Sequence, residues 1–392
     1  MKRLVCILLA LVLAASLLAA CGGGGPAPDP TAVPTPEPTP EPTPEPYEAQ
    51  ALTGYEKDVD YPEGQRMVAI MINNLVDARP QRGLSQAEMV FEIKVEGGIT
   101  RLMGLFDDWQ DLDTIGPIRS ARDQYFQLIL PWQPLYIHDG ESVITTQFID
   151  QYDYHELNLK NGGNGYRDKN RQNWRGQSYS QGTLAYEHTE YTDGEHIGAY
   201  ISEHDTDDKR TYNSTFFDFV DYRDPVRVLT EGELAELVTI YHSVSYRTRF
   251  EYDADLQQYK MQQWYYKDYR DTVDENNEQQ LAFENLVVLF TTFDVYPDPG
   301  AAEQGRRAYD LQKVDYASGG YGYYFYGGKC ERIRWQKGSP LEGLRLTQLD
   351  GDTPVKVNCG KTYLAVVDLD EYNNFKYEGL APADGGETTA QG

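Results

Sequence analysis

Two apolar runs of strand length, EMVFEIKV (Glu88–Val95) and ITRLMGLF (Ile99–Phe106), are separated only by Glu96-Gly97-Gly98. That spacing closes a β-hairpin, because glycine adopts the positive φ of a tight turn without steric cost. A chain built round this hairpin is committed to a sheet. MVAIMI (Met67–Ile72) and PLYIH (Pro134–His138) supply further strands on either side of it. Ser120-Ala121-Arg122-Asp123 has the spacing of a capping box and opens a helix through QYFQLIL, which Pro131 ends. Thr192-Asp193-Gly194-Glu195 is a second such box, leading a helix to about Glu203.

EGELAELVTIYHS (Glu231–Ser243) reads as an amphipathic helix. Beyond Ser245 the texture changes. Alternating runs follow one another between glycine and aspartate turns, as in SYRTRFEYDADLQQYK, LVVLFTTFDVY, YGYYFYGG and GKTYLAVVDL. The predicted class is α+β: an N-terminal mixed α/β unit over 51–228, then a mostly antiparallel β unit over 229–378. Residues 379–392 form a tail too poor in apolar side chains to fold.

Upstream of the body, Lys2 and Arg3 precede the apolar run LVCILLALVLAASLLAA and then Cys21. This is a secretory signal over 1–20, and Leu18-Ala19-Ala20-Cys21 has the form of a bacterial lipobox. Cys21 is the expected lipidation site, which makes the bilayer the first partner and places the chain outside the cytoplasm, on the membrane. Residues 21–50 hold the acylated cysteine and a Pro-Thr-Pro-Glu tether. Proline fixes φ there, and at about 3.1 Å per residue some twenty residues make a stalk of roughly 60 Å.

Losing the leader takes the formal charge from −27 to −29. So acidic a chain is expected to avoid nucleic acid and anionic lipid headgroups. Cys330 and Cys359 are the cysteines left for the oxidising side; a disulfide is expected, with two buried thiols as the alternative. The 31 tyrosines read as strand residues, or as platforms on which sugars stack.

Against that acidity, arginine gathers at strand and loop ends. Asn73 and Asn74 close the first strand, Arg79, Gln81 and Arg82 follow, Glu96 and Arg101 flank the hairpin turn, and GPIRSARD (Gly116–Asp123) carries Arg119 and Arg122. His138 heads HDGES after another strand. Ligands of mixed α/β sheets sit beyond strand ends, and the guanidinium fork fits carboxylate or phosphate. The competing reading is internal pairing of these arginines with Glu92, Glu96, Asp107, Asp108 or Asp123. His196 and His204, two turns apart on one helix, read as surface residues. No GxSxG, HExxH or GxxxxGKS is present, and the sequence designates no nucleophile, metal site or cofactor.

The blocks MINNLVDARPQRGLSQAEMVFEIKVEGGITRLMGLF, IGPIRSARDQYFQL and LYIHDGES, in that order, closely resemble the YerB-like lipoprotein family. The resemblance covers most of the chain and implies a lipobox, a mixed α/β N-terminal part and a β-rich C-terminal part; it supplies no reaction. His188 matches the histidine of the family's PHN block, with Glu187 in place of the proline and Thr189 of the asparagine. The expected ligand residues are therefore Asn73, Asn74, Arg79, Gln81, Glu96, Arg101, Arg119, Arg122, His138 and His188. The function expected is binding of an anionic small molecule or wall polymer. Its rivals are an enzyme acting on phosphorylated or lipid-linked wall material and a scaffold for other envelope proteins.

Overall fold

The computed structural model describes residues 45–168, 172–173, 184–224, 232–298, 300–305 and 309–380. The leader, Cys21, most of the tether and nearly all of the C-terminal tail lie outside the described residues. Tyr47 onward forms one compact unit.

The hairpin is the centre of the N-terminal part. β1 (Val68–Asn73), β2 (Met89–Lys94) and β3 (Thr100–Phe106) are followed by α1 (Asp123–Ile129), β4 (Leu135–His138), α2 (Val143–Gln151), β5 (Asn158–Lys160) and α3 (Gly194–His204). Gly97 and Gly98 take φ of 71° and 69° in the turn, as their sequence position requires. β3 pairs antiparallel with both β2 and β1, while β4 runs parallel to β1.

The C-terminal part contributes β6 (Glu233–Leu234), β7 (Leu237–Tyr241), β8 (Arg247–Asp253), β9 (Gln258–Tyr265), β10 (Asp268–Asp271), β11 (Ala282–Phe283), β12 (Asn285–Thr291), β13 (Gly320–Tyr326), β14 (Lys329–Gln336), β15 (Arg345–Thr347), β16 (Thr362–Asp368) and β17 (Lys376–Glu378). The α+β class stands, and the two parts share one sheet. Its order is β6-β14-β13-β12-β16-β2-β3-β1-β4-β5, with β15 on β14. β16 lies between β12 and β2 and is parallel to both. A second sheet, β10-β9-β8-β7-β17 with β11 on β9, is antiparallel.

Alternation along the strands builds two cores, one on each face of the large sheet. Phe91, Ile93 and Met103 pack with Tyr125, Phe126 and Ile129 of α1 on one face. Val90, Leu102 and Tyr363 pack on the other, with Val238, Phe250 and Met261 of the small sheet and Ile197 of α3. The central strands β2 and β16 are covered on both faces and consequently read as near-continuous apolar runs.

Three local expectations are corrected. Glu231–Ser243 is not a helix: its described residues form β6 and β7, with Ala235 buried. Val238, Thr239, Ile240 and Tyr241 are β-formers, and the ladders to β8 and β17 satisfy their backbone across strands. Ser120 caps no helix; Arg122 precedes α1 without a side-chain cap, because Gly116–Arg122 is extended and bonded to strand ends. The second helix is capped by Asp193, which accepts from the His196 amide, and not by Thr192.

The expected disulfide is absent. Cys330 and Cys359 are both free. Cys330 lies in the core between the two sheets, whereas the Cys359 thiol donates to the Val220 carbonyl at 3.3 Å. Burial raises both thiols, to about 12 and about 11 respectively.

Candidate functional site

Where β1 and β4 part at their C-terminal ends, the segment Gly116–Arg122 inserts between them. Asn73 N donates to Pro117 O at 2.8 Å and Arg119 N to Met71 O at 3.0 Å; Asp139 N donates back to Arg119 O at 3.3 Å and Ala121 N to Gly140 O at 2.9 Å. Gly116 begins the insert at φ 147°, and a Cβ there would stand 2.7 Å from the Glu190 carbonyl. The glycine, the two arginines and the extended backbone of GPIRSARD thus belong to one device. On the far side of β1, Arg101 of β3 lies in register with Asn73.

The insert and β3 bring two guanidinium groups to one carboxylate, with a third, Arg119, close by. Arg122 Nε donates to Glu96 Oε2 at 2.8 Å and its Nη2 to Glu96 Oε1, while Nη1 is held by the Ala121 carbonyl at 2.7 Å. Arg101 Nη2 is 3.5 Å from the same Glu96 Oε1, and its Nη1 donates to the Ser120 carbonyl. Arg119, half-buried, donates to the Glu187 carbonyl at 3.1 Å and has no carboxylate within ion-pair distance among the described residues. Asp123, next in the chain, turns to Tyr296 at 2.9 Å and Gln127 at 3.3 Å instead. Asp139 and Glu190 are each taken by Arg167 at 3.1 Å.

The electrostatics follow from this ratio. Burial, and then the neighbouring Arg122, push Arg101 down to about 9. Burial also lowers Arg119, with Arg122 acting in the same direction and Glu187 against it. Burial would raise Glu96, but the guanidiniums of Arg122 and Arg101 outweigh it and hold the carboxyl at about 2. Burial raises Asp123 to about 6.

His188 joins the group through Asn73. Asn73 Oδ1 accepts from Leu75 N at 3.0 Å, which turns Nδ2 toward His188 Nδ1 at 2.8 Å. His188 Nδ1 is therefore the acceptor and the ring proton sits on Nε2. Burial and the Arg119 charge both keep this ring neutral.

Asn73, Glu96, Arg101, Arg119, Arg122 and His188 thus converge, and the other four expected residues do not join them. Asn74 donates to Glu92 and Thr100, and accepts from Gln81 and Gln263. Arg79 spans to the small sheet, donating to the Trp264 and Asn74 carbonyls over the Tyr246 and Tyr265 rings. Gln81 braces Asn73 O at 3.0 Å. Arg79 and Gln81 also border a cavity of about 280 Å³ beside Tyr265 and Arg270. His138 is fully buried between Gly140 O and the Asn158 side chain, a bonded strand end. His196 is tied to Asp193 and His204 is stacked on Tyr200.

Sequence reasoning missed the buried knot at Glu92. Its Oε1 accepts from Asn74 at 3.1 Å and Thr100 at 2.6 Å; its Oε2 accepts from Thr248 at 2.6 Å and from Tyr363. A glutamate inside an apolar strand run was the available signal.

Residues 52–207 match the model described as "Protein of unknown function (DUF3048) N-terminal domain", and residues 237–364 the corresponding C-terminal domain. The protein named "Putative lipoprotein YerB" of Bacillus subtilis (strain 168) is 26% identical over 330 residues, which is 84% of this chain and 89% of that one. The chain belongs to the YerB family. The crystal structure of YerB from Bacillus subtilis superposes with a TM-score of 0.62 at 22% identity, covering 82% of this chain and 98% of that one. The fold described above is accordingly the fold of the family, and the insert between β1 and β4 lies inside its N-terminal segment. No described helix is long and apolar enough to cross a membrane.

Proposed function

We propose that this chain is a lipid-anchored extracytoplasmic binding protein, held to the membrane through acylated Cys21, whose arginine cluster receives an anionic group of a small molecule or wall polymer. The observation that supports it most is that Arg101 and Arg122 share the one carboxylate of Glu96 while Arg119 beside them is paired with none among the described residues, in a chain with 62 acidic and 35 basic residues. In so acidic a molecule a guanidinium could readily have been given a carboxylate, yet Arg119 has none within ion-pair distance among the described residues. Planar donors at strand ends, with neutral His188 beside them, suit a phosphate or carboxylate oxygen.

Titration calorimetry with pyrophosphate, inorganic phosphate and citrate tests this reading. At least one should bind, and Arg119→Ala should weaken it about tenfold or more without lowering the melting temperature. Absence of binding by all three, or equal binding by Arg119→Ala, removes the proposal. The anchor is tested separately: Cys21→Ser should move the protein from the membrane fraction to the soluble one.

A further inference from the structure

The cavity beside Arg79 lies where the turn after β1 meets β9 and β10, so both family segments line it. Its volume, about 280 Å³, falls just below the range of about 300–1,000 Å³ usual for small-molecule sites. Pro80, Tyr265 and Val273 supply apolar lining, and Arg79, Gln81, Arg270 and Thr272 supply polar groups. Asp271 also borders it, but strand alternation turns its carboxylate to the other side of the sheet, where it accepts from Gln262 at 3.0 Å.

The fold leaves these polar groups incomplete. Arg79 donates through Nη1 to the Trp264 carbonyl at 3.1 Å and through Nη2 to the Asn74 carbonyl at 2.9 Å, so each terminal nitrogen keeps a second N–H. Its Nε has no partner, and no carboxylate lies within ion-pair distance of it among the described residues. Burial lowers Arg79 from the usual arginine value, against the pull of Tyr265 and Glu92. Asp77, two residues upstream, accepts from Tyr266 at 3.3 Å, and Asp268 stands 3.4 Å from Arg270, both exposed. Gln81, 1% exposed, donates its amide to Asn73 O at 3.0 Å and Asn74 Oδ1 at 3.2 Å, which leaves Oε1 without a donor. Thr272, 5% exposed, is held by backbone bonds to Met261 and Leu281, and its Oγ1 is unpaired among the described residues. Buried polar atoms in native folds nearly always have partners, so three orphans round one cavity call for an occupant.

We infer that this cavity is a second binding site and that it takes a small α-hydroxycarboxylic acid. The carboxylate lies on the unused N–H donors of Arg79, whose guanidinium is set 5.2 Å from the Tyr265 ring centre. The 2-hydroxyl donates to Gln81 Oε1 and accepts from Thr272 Oγ1, and the carbon chain rests on Pro80, Tyr265 and Val273. The charges select this class among small molecules. A neutral sugar leaves Arg79 without a counterion. An α-amino acid brings an ammonium beside two arginines, where the acceptors offered to it are neutral oxygens. Inorganic phosphate, as a dianion with a single proton, has no carbon chain for the apolar lining. The volume holds one such molecule and no polymer.

The test is titration calorimetry of the purified full chain with lactate and 2-hydroxy-4-methylpentanoate, both enantiomers of each. Their deoxy counterparts, propionate and 4-methylpentanoate, their amino counterparts, alanine and leucine, and inorganic phosphate run alongside. At least one hydroxy acid should bind, with its counterparts and phosphate about tenfold or more weaker. R79Q should lose about tenfold or more in affinity, and T272V about fivefold. If R79Q melts early, T272V serves alone, since its hydroxyl has no hydrogen bond to lose in the unliganded fold. R119A should bind as the parent does. The inference is overturned if no hydroxy acid binds, if a deoxy or amino counterpart or phosphate binds as tightly, or if T272V or a natively melting R79Q keeps the parent's affinity. Loss in R119A would also overturn it, by moving the ligand to the cluster at Glu96.

Discussion

Glu92 is 1% exposed, and its two oxygens are shared among four donors, two from the first half of the chain and two from the second. Replacing it by alanine leaves those donors unpaired inside a closed core, and the expected loss is about 3 kcal/mol or more by urea denaturation. His242, wholly buried, makes no hydrogen bond at either ring nitrogen among the described residues; Nε2 is 3.8 Å from Glu92. Burial holds its pKa below 6.5, with Glu92 opposing. The unfolded chain therefore takes up this proton as pH falls through 6.5 while the folded chain does not, so His242 lowers stability progressively below that pH. His242→Asn should reduce the loss between pH 6.5 and 5 relative to the parent, read as the difference in unfolding free energy. Other groups, among them Asp123 near 6, enter both curves and cancel. At this scale the sequence displayed Arg119, Arg122 and Glu96 as neighbours and left open which of them would pair. It could not display the Glu92 knot, whose donors Thr248 and Tyr363 lie 156 and 271 residues away.

Among the elements, the hairpin was legible because Gly97-Gly98 and two apolar runs are local signals. β7 was not: LAELVTIY satisfies a helical period as well as an alternating one, and the ladders to β8 and β17 decide between them. The insert Gly116–Arg122 was legible as a motif but not as a conformation, since its partners are the ends of β1 and β4. Gly116→Ala is expected to cost about 2 kcal/mol or more, because the backbone holds φ at 147° and the new methyl meets the Glu190 carbonyl at 2.7 Å. The same variant should lose anion binding in step with the displacement of Arg119; a variant with parent stability and parent affinity would remove the structural role given to this glycine.

For the molecule as a whole, the two family segments share a sheet, and the alternation that revealed their strands could not reveal that pairing. Parallel β2 and β16 join residues 89–93 to 362–366, and nothing local encodes a contact at such separation. Calorimetry should accordingly give one unfolding transition for residues 47–380, with equal calorimetric and van't Hoff enthalpies. A fragment ending at Tyr222 should be insoluble or unfolded, since it bares an apolar strand edge and strips Glu92 of two donors. Because β16 occupies the middle of the sheet yet is made almost last, the nascent polypeptide has a vacant seam at its heart until the ribosome has delivered Asp368. If the chain passes a membrane head first, that late keystone keeps it threadable throughout the crossing and defers its closure to the far side.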